Sequence, residues 1–403
     1  MKYFKILAVL LLGQCFLTAQ SIDDFIELTR AYDPGLEMLR LEYQAALQTV
    51  DQVGEWPDPT VNLAIGVLPI ETRLGAQRFK VGVTQMIPWK GSLQTQKEIS
   101  RTGAEIRARM EDVEAINIEF AIRSTYARLL YIESQKLIIN ERIEVLDAMI
   151  ELAKSGVSSG KGKLSDVLIT ERRRETLQAD LELLNLKMEQ VRIMLNSWSG
   201  RPLDSNIDIT PDFQTPTSTI PVSPSDLEGH PQFEVLDRQI IAADAVITNT
   251  IYQAKPQIGV GLEYAYVSKR QDVEIPGNGR DILMPMGSIR IPIFTNKYAS
   301  IRKEQTIKKN AISEKRRDFQ NKFTAEIEMA ISQIEYAEAE IEKFESLKNI
   351  TEETLELMRS EFAAEQTRFE ELLKVEMELL DYDRQILSAE YEKQLAQAVL
   401  MKY

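Results

Sequence analysis

Side chains able to do covalent or metal chemistry are few in this chain and far apart. Its 403 residues hold one His, His230, and one Cys, Cys15. A Ser-His or Cys-His nucleophile pair has no second member to draw on, and neither has a multi-Cys zinc site. Acid pairs such as Glu370-Glu371 have many equivalents along the charged stretches, where they serve as solvated helix faces. Met284 and Met286 offer a soft-metal pair or, the commoner use, packing on a membrane strand. Gly160-Lys161-Gly162 lacks the Gly-Lys-Ser/Thr ending of a phosphate loop. His230 precedes Pro231 at a helix start and reads as a surface or capping residue. No nucleophile and base can be assembled and no cofactor is implied, so the chain does not read as an enzyme.

Composition narrows the remaining classes. Lys plus Arg number 48 against 62 acids, a formal net charge of -14 with no basic block, which disfavours nucleic acid as a partner. With 18 Gly and 15 Pro the chain is poor in turn formers for an all-β protein, and long helices are expected. Residues 1–19 read as a signal peptide: Lys2 and Lys5, an apolar run over 6–16, then Leu17-Thr18-Ala19 before the cut. That run is too short to span about 30 Å of hydrocarbon. Gln14 stands where a lipid-attachment site has a small residue, so Cys15 is expected to leave with the signal. The mature chain, 20–403, then loses Lys2 and Lys5, and its charge becomes -14 - 2 = -16. No other apolar run is long enough for a transmembrane helix, so any second membrane crossing must use strands.

The mature chain repeats itself. Asp33-Pro34-Gly35-Leu36-Glu37 matches His230-Pro231-Gln232-Phe233-Glu234, and Pro59-Thr60-Val61 matches Pro256-Gln257-Ile258, both at an offset of 197. Two repeats are expected, 33–198 and 230–402, joined by an irregular linker over 199–229 rich in Pro, Ser, Thr and Asp. Each holds a helix (34–55; 231–251), two strands, one very long helix (92–155; 299–362) and a further helix (164–197; 369–402). Alternating spacings of three and four set apolar seams along Ile132, Ile139, Ile143, Leu146, Ile150 and Ala153, and along Leu372, Val375, Leu379, Tyr382, Ile386 and Ala389. Such seams belong to left-handed coiled coils.

Four segments alternate with period two: 60–68 (Val61, Leu63, Ile65), 78–85 (Phe79, Val81, Val83), 258–267 (Val260, Leu262, Tyr264) and 281–293 (Ile289, Ile291). They pair as hairpins across polar loops at 69–77 and 268–280. About ten residues with an apolar outer face suit a tilted membrane strand, and a half-buried soluble sheet has the same pattern. Four strands leave two edges that lipid does not tolerate, and closed bacterial barrels begin at about eight strands. A barrel must therefore be shared between copies: two copies supply eight strands and three supply twelve.

Asp33-Pro34 before the first helix and Pro57-Asp58-Pro59 before the first strand carry a family resemblance. So do the strand-to-helix turn Gln85-Met86-Ile87-Pro88-Trp89-Lys90-Gly91 and the hairpin tip Gly160-Lys161-Gly162-Lys163-Leu164-Ser165-Asp166-Val167-Leu168. In this order the chain resembles the TolC-type outer-membrane efflux proteins over nearly all its mature length. The resemblance implies a mainly α fold with membrane β structure: a homotrimer with a long α-helical coiled-coil barrel in the periplasm and a 12-strand barrel in outer-membrane lipid. The implied partners are a periplasmic adaptor and an inner-membrane pump, with the RND type a candidate. The Pro-Trp-Lys-Gly turn looks most like members paired with heavy-metal exporters. The second tip departs from the family in reading Glu365-Gln366-Thr367-Arg368-Phe369 without a glycine, and no lipidation cysteine follows the signal.

At the tips, Gly156, Gly160 and Gly162 supply backbone freedom. Leu164, Val167 and Leu168, with Phe369, Leu372 and Leu373, either start the coiled-coil core or dock an adaptor hairpin, with Lys163, Ser165 and Arg368 as polar contacts. Asp166, Glu370 and Glu371 would form acidic rings at the narrow end of a trimeric tunnel, favouring cations and holding a gate through neighbouring basic residues. The competing architecture is a secreted coiled-coil scaffold with a soluble sheet and no channel.

Overall fold

The computed structural model of the chain describes residues 21–209, 229–364 and 367–403. The signal segment with Cys15, residues 210–228 of the linker, and Glu365-Gln366 of the second tip lie outside the described residues. The described chain divides into two compact units. One takes its residues from 21–37, 112–230 and 320–403, the other from 38–111 and 231–319. Each unit thus takes residues from both halves of the chain, and the division falls within the long helices.

The second unit is built on one antiparallel sheet in the order β1-β2-β3-β4, with β1 Thr60–Thr72, β2 Gly75–Ile87, β3 Gln257–Ser268 and β4 Ile282–Arg290. Pairing is in register along the apolar rows: Val61 faces Val83 and then Leu262, Leu63 faces Val81 and then Tyr264, and Ile65 faces Phe79 and then Tyr266. The first hairpin is tighter than its polar sequence implies. Thr72 pairs with Gly75, the ladder continues through Glu71–Ala76 and Ile70–Gln77, and only Arg73-Leu74 remain as the turn. Backbone hydrogen bonds hold a strand whatever its side chains, so polarity alone did not end it. The fourth strand is shorter than expected. It stops at Arg290, ahead of Pro292, which has no N–H for a ladder, so Ile291 lies outside the strand it was assigned to.

The helices are α1 Ile22–Tyr32, α2 Pro34–Val53, α3 Ser92–Ser158, α4 Leu164–Trp198, α5 Pro231–Gln253, α6 Asn296–Ala363 and α7 Phe369–Leu400. Ser21 and Asp24 cap α1 reciprocally: the Asp24 N–H donates to Ser21 Oγ at 3.3 Å, and the Ser21 N–H donates to Asp24 Oδ2 at 2.8 Å. Asp33 Oδ1 accepts from the Leu36 N–H at 2.9 Å at the start of α2, with Pro34 in the first helical position. Within the second unit, Arg40–Glu111 (2.7 Å) ties α2 to α3, Arg238–Glu105 (2.8 Å) ties α5 to α3, and Lys309–Asp244 (2.6 Å) ties α6 to α5.

In the first unit Ile132, Ile139, Leu146, Ile150 and Ala153 of α3 are buried in the seam the spacing defines, as are Leu372, Leu379 and Ala389 of α7. Leu177, Leu184 and Val191, seven residues apart on α4, join the same core with Phe25 of α1. His230 is neither a surface nor a simple capping residue. It is buried, its ring edge-on to Phe323 at 5.0 Å and tilted against Tyr403 at 5.8 Å, because aromatic side chains from α6 and the segment after α7 close over it. Burial pushes the imidazole below its ordinary pKa, against the opposing pull of a backbone hydrogen bond with Lys402. Burial likewise pushes the Tyr403 phenol above its usual range, reinforced by its hydrogen bond to Glu326.

Candidate functional site at the hairpin ends

The first unit contains both helical hairpin ends. The turn from α3 to α4 closes as a Schellman motif. The Gly160 N–H donates to Val157 O at 3.1 Å and the Lys161 N–H to Gly156 O at 3.0 Å, with Gly160 at φ +73° in open space. Gly162 is needed for a different reason: a Cβ there would lie 2.8 Å from the Gly156 carbonyl carbon and 2.9 Å from the Val157 nitrogen. At the second end Arg368 precedes α7, Thr367 Oγ1 donates to Glu361 at 2.8 Å, and Phe369 meets Phe362 edge-on at 6.2 Å. Neither Lys163 nor Arg368 caps its helix through its side chain. Asp166 and the pair Glu370 and Glu371 place negative charge in those first turns, where the helix dipole favours it.

The six apolar tip residues divide. Val167, Phe369, Leu372 and Leu373 are buried and begin the coiled-coil core. Leu164 and Leu168, four residues apart and so on one face of α4, are 64% and 57% exposed. Lys163, Ser165 and Arg368 are exposed as well. Asp166 is buried and accepts from Ser165 Oγ at 3.3 Å, while Glu370 and Glu371 are exposed, with Arg368 at 3.8 Å from Glu371. A cavity of about 590 Å³ separates the two ends, lined by Gly156, Lys161, Asp166, Phe362, Arg368 and Glu370 among others.

Further along the same helices is a charged cluster that the sequence reading missed. Glu376 of α7 is only 3% exposed and lies 3.1 Å from Arg142 of α3 and 2.7 Å from Arg359 of α6. Arg142 also reaches Asp383 at 2.8 Å, and Asp383 meets Lys348 at 2.8 Å. The sequence signal was present. Arg142 falls between Ile139 and Ile143, and Glu376 beside Val375, so both charges flank an apolar seam and must pair to be buried.

In the second unit the sheet presents an apolar face. Val61, Leu63, Ile65, Phe79, Val83, Val260, Leu262 and Ile289 are exposed large hydrophobic residues, with Val81 and Tyr264 partly covered between them. The other face carries Asn62, Thr84 and the Lys80–Glu263 pair at 3.4 Å. Among the described residues no helix is long and apolar enough to cross a membrane, and no group of three or more His, Cys, Asp or Glu is placed to hold a metal ion.

No protein-family model matches the chain. No curated protein matches it either. Solved structures do. CusC, described in terms of folding and transmembrane channel formation, is 15% identical, with a TM-score of 0.77 over 96% of this chain and 92% of its own. The outer membrane protein VceC from Vibrio cholerae is 14% identical, with a TM-score of 0.74 over 94% of each chain. The open-state MtrE outer membrane channel of Neisseria gonorrhoeae is 15% identical, with a TM-score of 0.76 over 94% of this chain and 88% of its own. The chain therefore has the fold of the TolC-type outer-membrane channels.

Proposed function

We propose that the chain is one protomer of a passive exit duct in the outer membrane of a Gram-negative bacterium, part of a tripartite efflux or secretion system. The observation that carries this reading is a four-stranded sheet with one face of exposed apolar side chains and open edges at β1 and β4. Such a face belongs in lipid, and lipid requires the edges to be closed. Further copies of the same sheet close them. Three copies give a 12-strand barrel, the number favoured by the likeness to known outer-membrane channels. The long helices would form the periplasmic part of the tunnel, built from the two sequence repeats.

Leu164 and Leu168, with Lys163, Ser165 and Arg368, form the docking surface for a periplasmic adaptor that links the duct to an inner-membrane pump, the RND type being a candidate. Asp166, Glu370 and Glu371 supply the acidic lining near the gate. The energy source lies in the pump, and opening is a rearrangement of the hairpin ends biased by the adaptor. Purified protein in planar bilayers tests the duct: stepwise ion conductance is expected. A detergent-free monomer without conductance would favour the scaffold and refute the duct. Leu164→Asp with Leu168→Asp should abolish export while the oligomer persists; normal export would reject these residues as the docking surface.

A further inference from the structure

The two methionines that the sequence offers as a soft-metal pair are not where membrane packing would put them. In β4 the apolar face belongs to Leu283, Pro285 and Ile289, which pair with Tyr264, Leu262 and Ile258 of β3. Met284 and Met286 alternate with these and lie on the opposite, polar face, across from Glu263 and Gly261. Met86 of β2 pairs with Gly259, which pairs in turn with Ser288, and it shares that face. These are the three methionines of β1 to β4, and none lies on the apolar face. They fall in three successive cross-strand rows, Met284 first, then Met286, then Met86, with rows about 6.7 Å apart.

Glycines leave room for the thioethers on this face. A Cβ on Gly259 would lie 2.8 Å from Met86 Sδ, and one on Gly82 would lie 3.5 Å from Met286 Cε. Met86 thus leans from β2 onto β3, and Met286 leans from β4 across β3 toward β2. Met284 is 37% exposed. The other side chains of these rows are hydroxyls, the Asn62 amide and Glu263, whose charge Lys80 meets at 3.4 Å. No unpaired carboxylate stands there to offset a divalent ion. Neutral thioether sulfur is a soft ligand that selects copper(I) and its like over harder ions. Unbranched side chains with three rotatable bonds can turn their sulfurs to one ion. We propose that Met284 and Met286, with Met86 as the third sulfur, bind a soft monovalent metal cation of the copper(I) or silver(I) class. In the proposed duct this face lines the pore, so the ion is met in transit; that placement rests on the duct reading, whereas binding does not.

The full-length chain carrying Cys15→Ser, so that no thiol competes, is labelled with carbon-13 at its methionine methyls and held in neutral detergent. It is titrated with silver nitrate in chloride-free buffer, silver(I) standing in for copper(I) without its redox chemistry. The methyl signals of Met284, Met286 and Met86, assigned by single Met→Leu changes, should shift first and saturate together, ahead of the other methionines. Met284→Leu with Met286→Leu keeps volume and removes sulfur, and should weaken binding by about tenfold or more. Met86→Leu should weaken it several-fold. Zinc(II), which takes imidazole and thiolate ligands, should not displace the silver. Shifts spread alike over all methionines, an unchanged affinity in the double variant, or displacement by zinc(II) overturns the proposal. The titration of the unsubstituted methionines decides even where a variant fails to fold. Silver binding is read within one sheet and conductance across a bilayer, so loss of either one with the other intact tells the two failures apart.

Discussion

Replacing Arg142 by Leu tests the buried charge cluster. In the native chain Glu376 is almost fully enclosed and shares its charge between Arg142 and Arg359. The Arg359 side chain is 55% exposed, so water and salt screen its half of the contact. Without Arg142, Glu376 keeps only that screened partner, while Asp383 keeps Lys348. Removing one partner of a buried pair costs about 3–5 kcal/mol. At roughly 2–4 °C per kcal/mol for a cooperative unit of moderate size, Arg142→Leu should lower the unfolding midpoint by roughly 10 °C. Arg359→Ala should cost about 1 kcal/mol or less, and that loss should fade in high salt. The double variant Arg142→Leu with Glu376→Leu removes the stranded charge and refills its volume, so it should be more stable than Arg142→Leu alone. The assay is thermal unfolding in detergent of the native chain, Arg142→Leu, Glu376→Leu and the double, read as a cycle with a coupling of about 2 kcal/mol or more, with Arg359→Ala measured beside them. Additive losses, or an Arg142→Leu midpoint within a degree or two of native, would refute the reasoning.

Gly160→Ala adds a side chain in open space at positive φ and should cost about 1–2 kcal/mol, whereas Gly162→Ala meets backbone and should open the turn further. Trypsin cleavage at Lys161 and Lys163 should therefore be fastest in Gly162→Ala, intermediate in Gly160→Ala and slowest in the native chain. His230 has its folded pKa below the ordinary value of about 6.5, so the unfolded chain binds its proton first: stability is full above about pH 6.5 and falls as pH drops below it toward the folded pKa. His230→Phe should flatten the unfolding midpoint over that window, and identical slopes in the two proteins would contradict the assignment. Leu63→Arg should cost about 2–4 kcal/mol in folding into liposomes if it sits near mid-bilayer. Ala64→Arg, on the opposite face of β1, should cost much less, and equal losses would place neither face against lipid.

The parts legible in sequence are those set by a local period. Val61, Leu63 and Ile65 alternate and share a face; Ile139, Leu146 and Ile150 follow threes and fours and share a seam. What escaped notice depends on tertiary contact or on local chemistry that composition hides. The first hairpin kept its ladder through Glu71 and Thr72 because a partner strand was in register, which polarity does not reveal. α1 follows directly on the signal segment and belongs to no long apolar seam, and its one local mark is Ser21 and Asp24 at capping-box spacing. His230 looked like a helix-start residue because nothing local announces that Phe323 and Tyr403, far along the chain, enclose it. At the tips the sequence left open whether six apolar residues were core or docking surface. The turn of α4 separates them, since Val167 rotates inward while Leu164 and Leu168 stay out.

Those two leucines also bear on why the assembly would need several copies. Burying each is worth about 1.5–3 kcal/mol, so under the proposed docking one hairpin end would offer about 3–6 kcal/mol to an adaptor. Association alone costs about 4–15 kcal/mol in lost freedom and ordering, so a single end falls at or below the threshold for a lasting contact. Copies held together change the balance, because every contact after the first is intramolecular and draws on an effective concentration in the millimolar range. The unpaired edges of β1 and β4 call for copies on separate grounds, the hydrogen bonds that lipid cannot supply. In the proposed duct, closure of the sheet and valency at the hairpin ends would be met by one assembly, and a substitution that opens the barrel should weaken adaptor docking without altering any residue of the proposed docking surface.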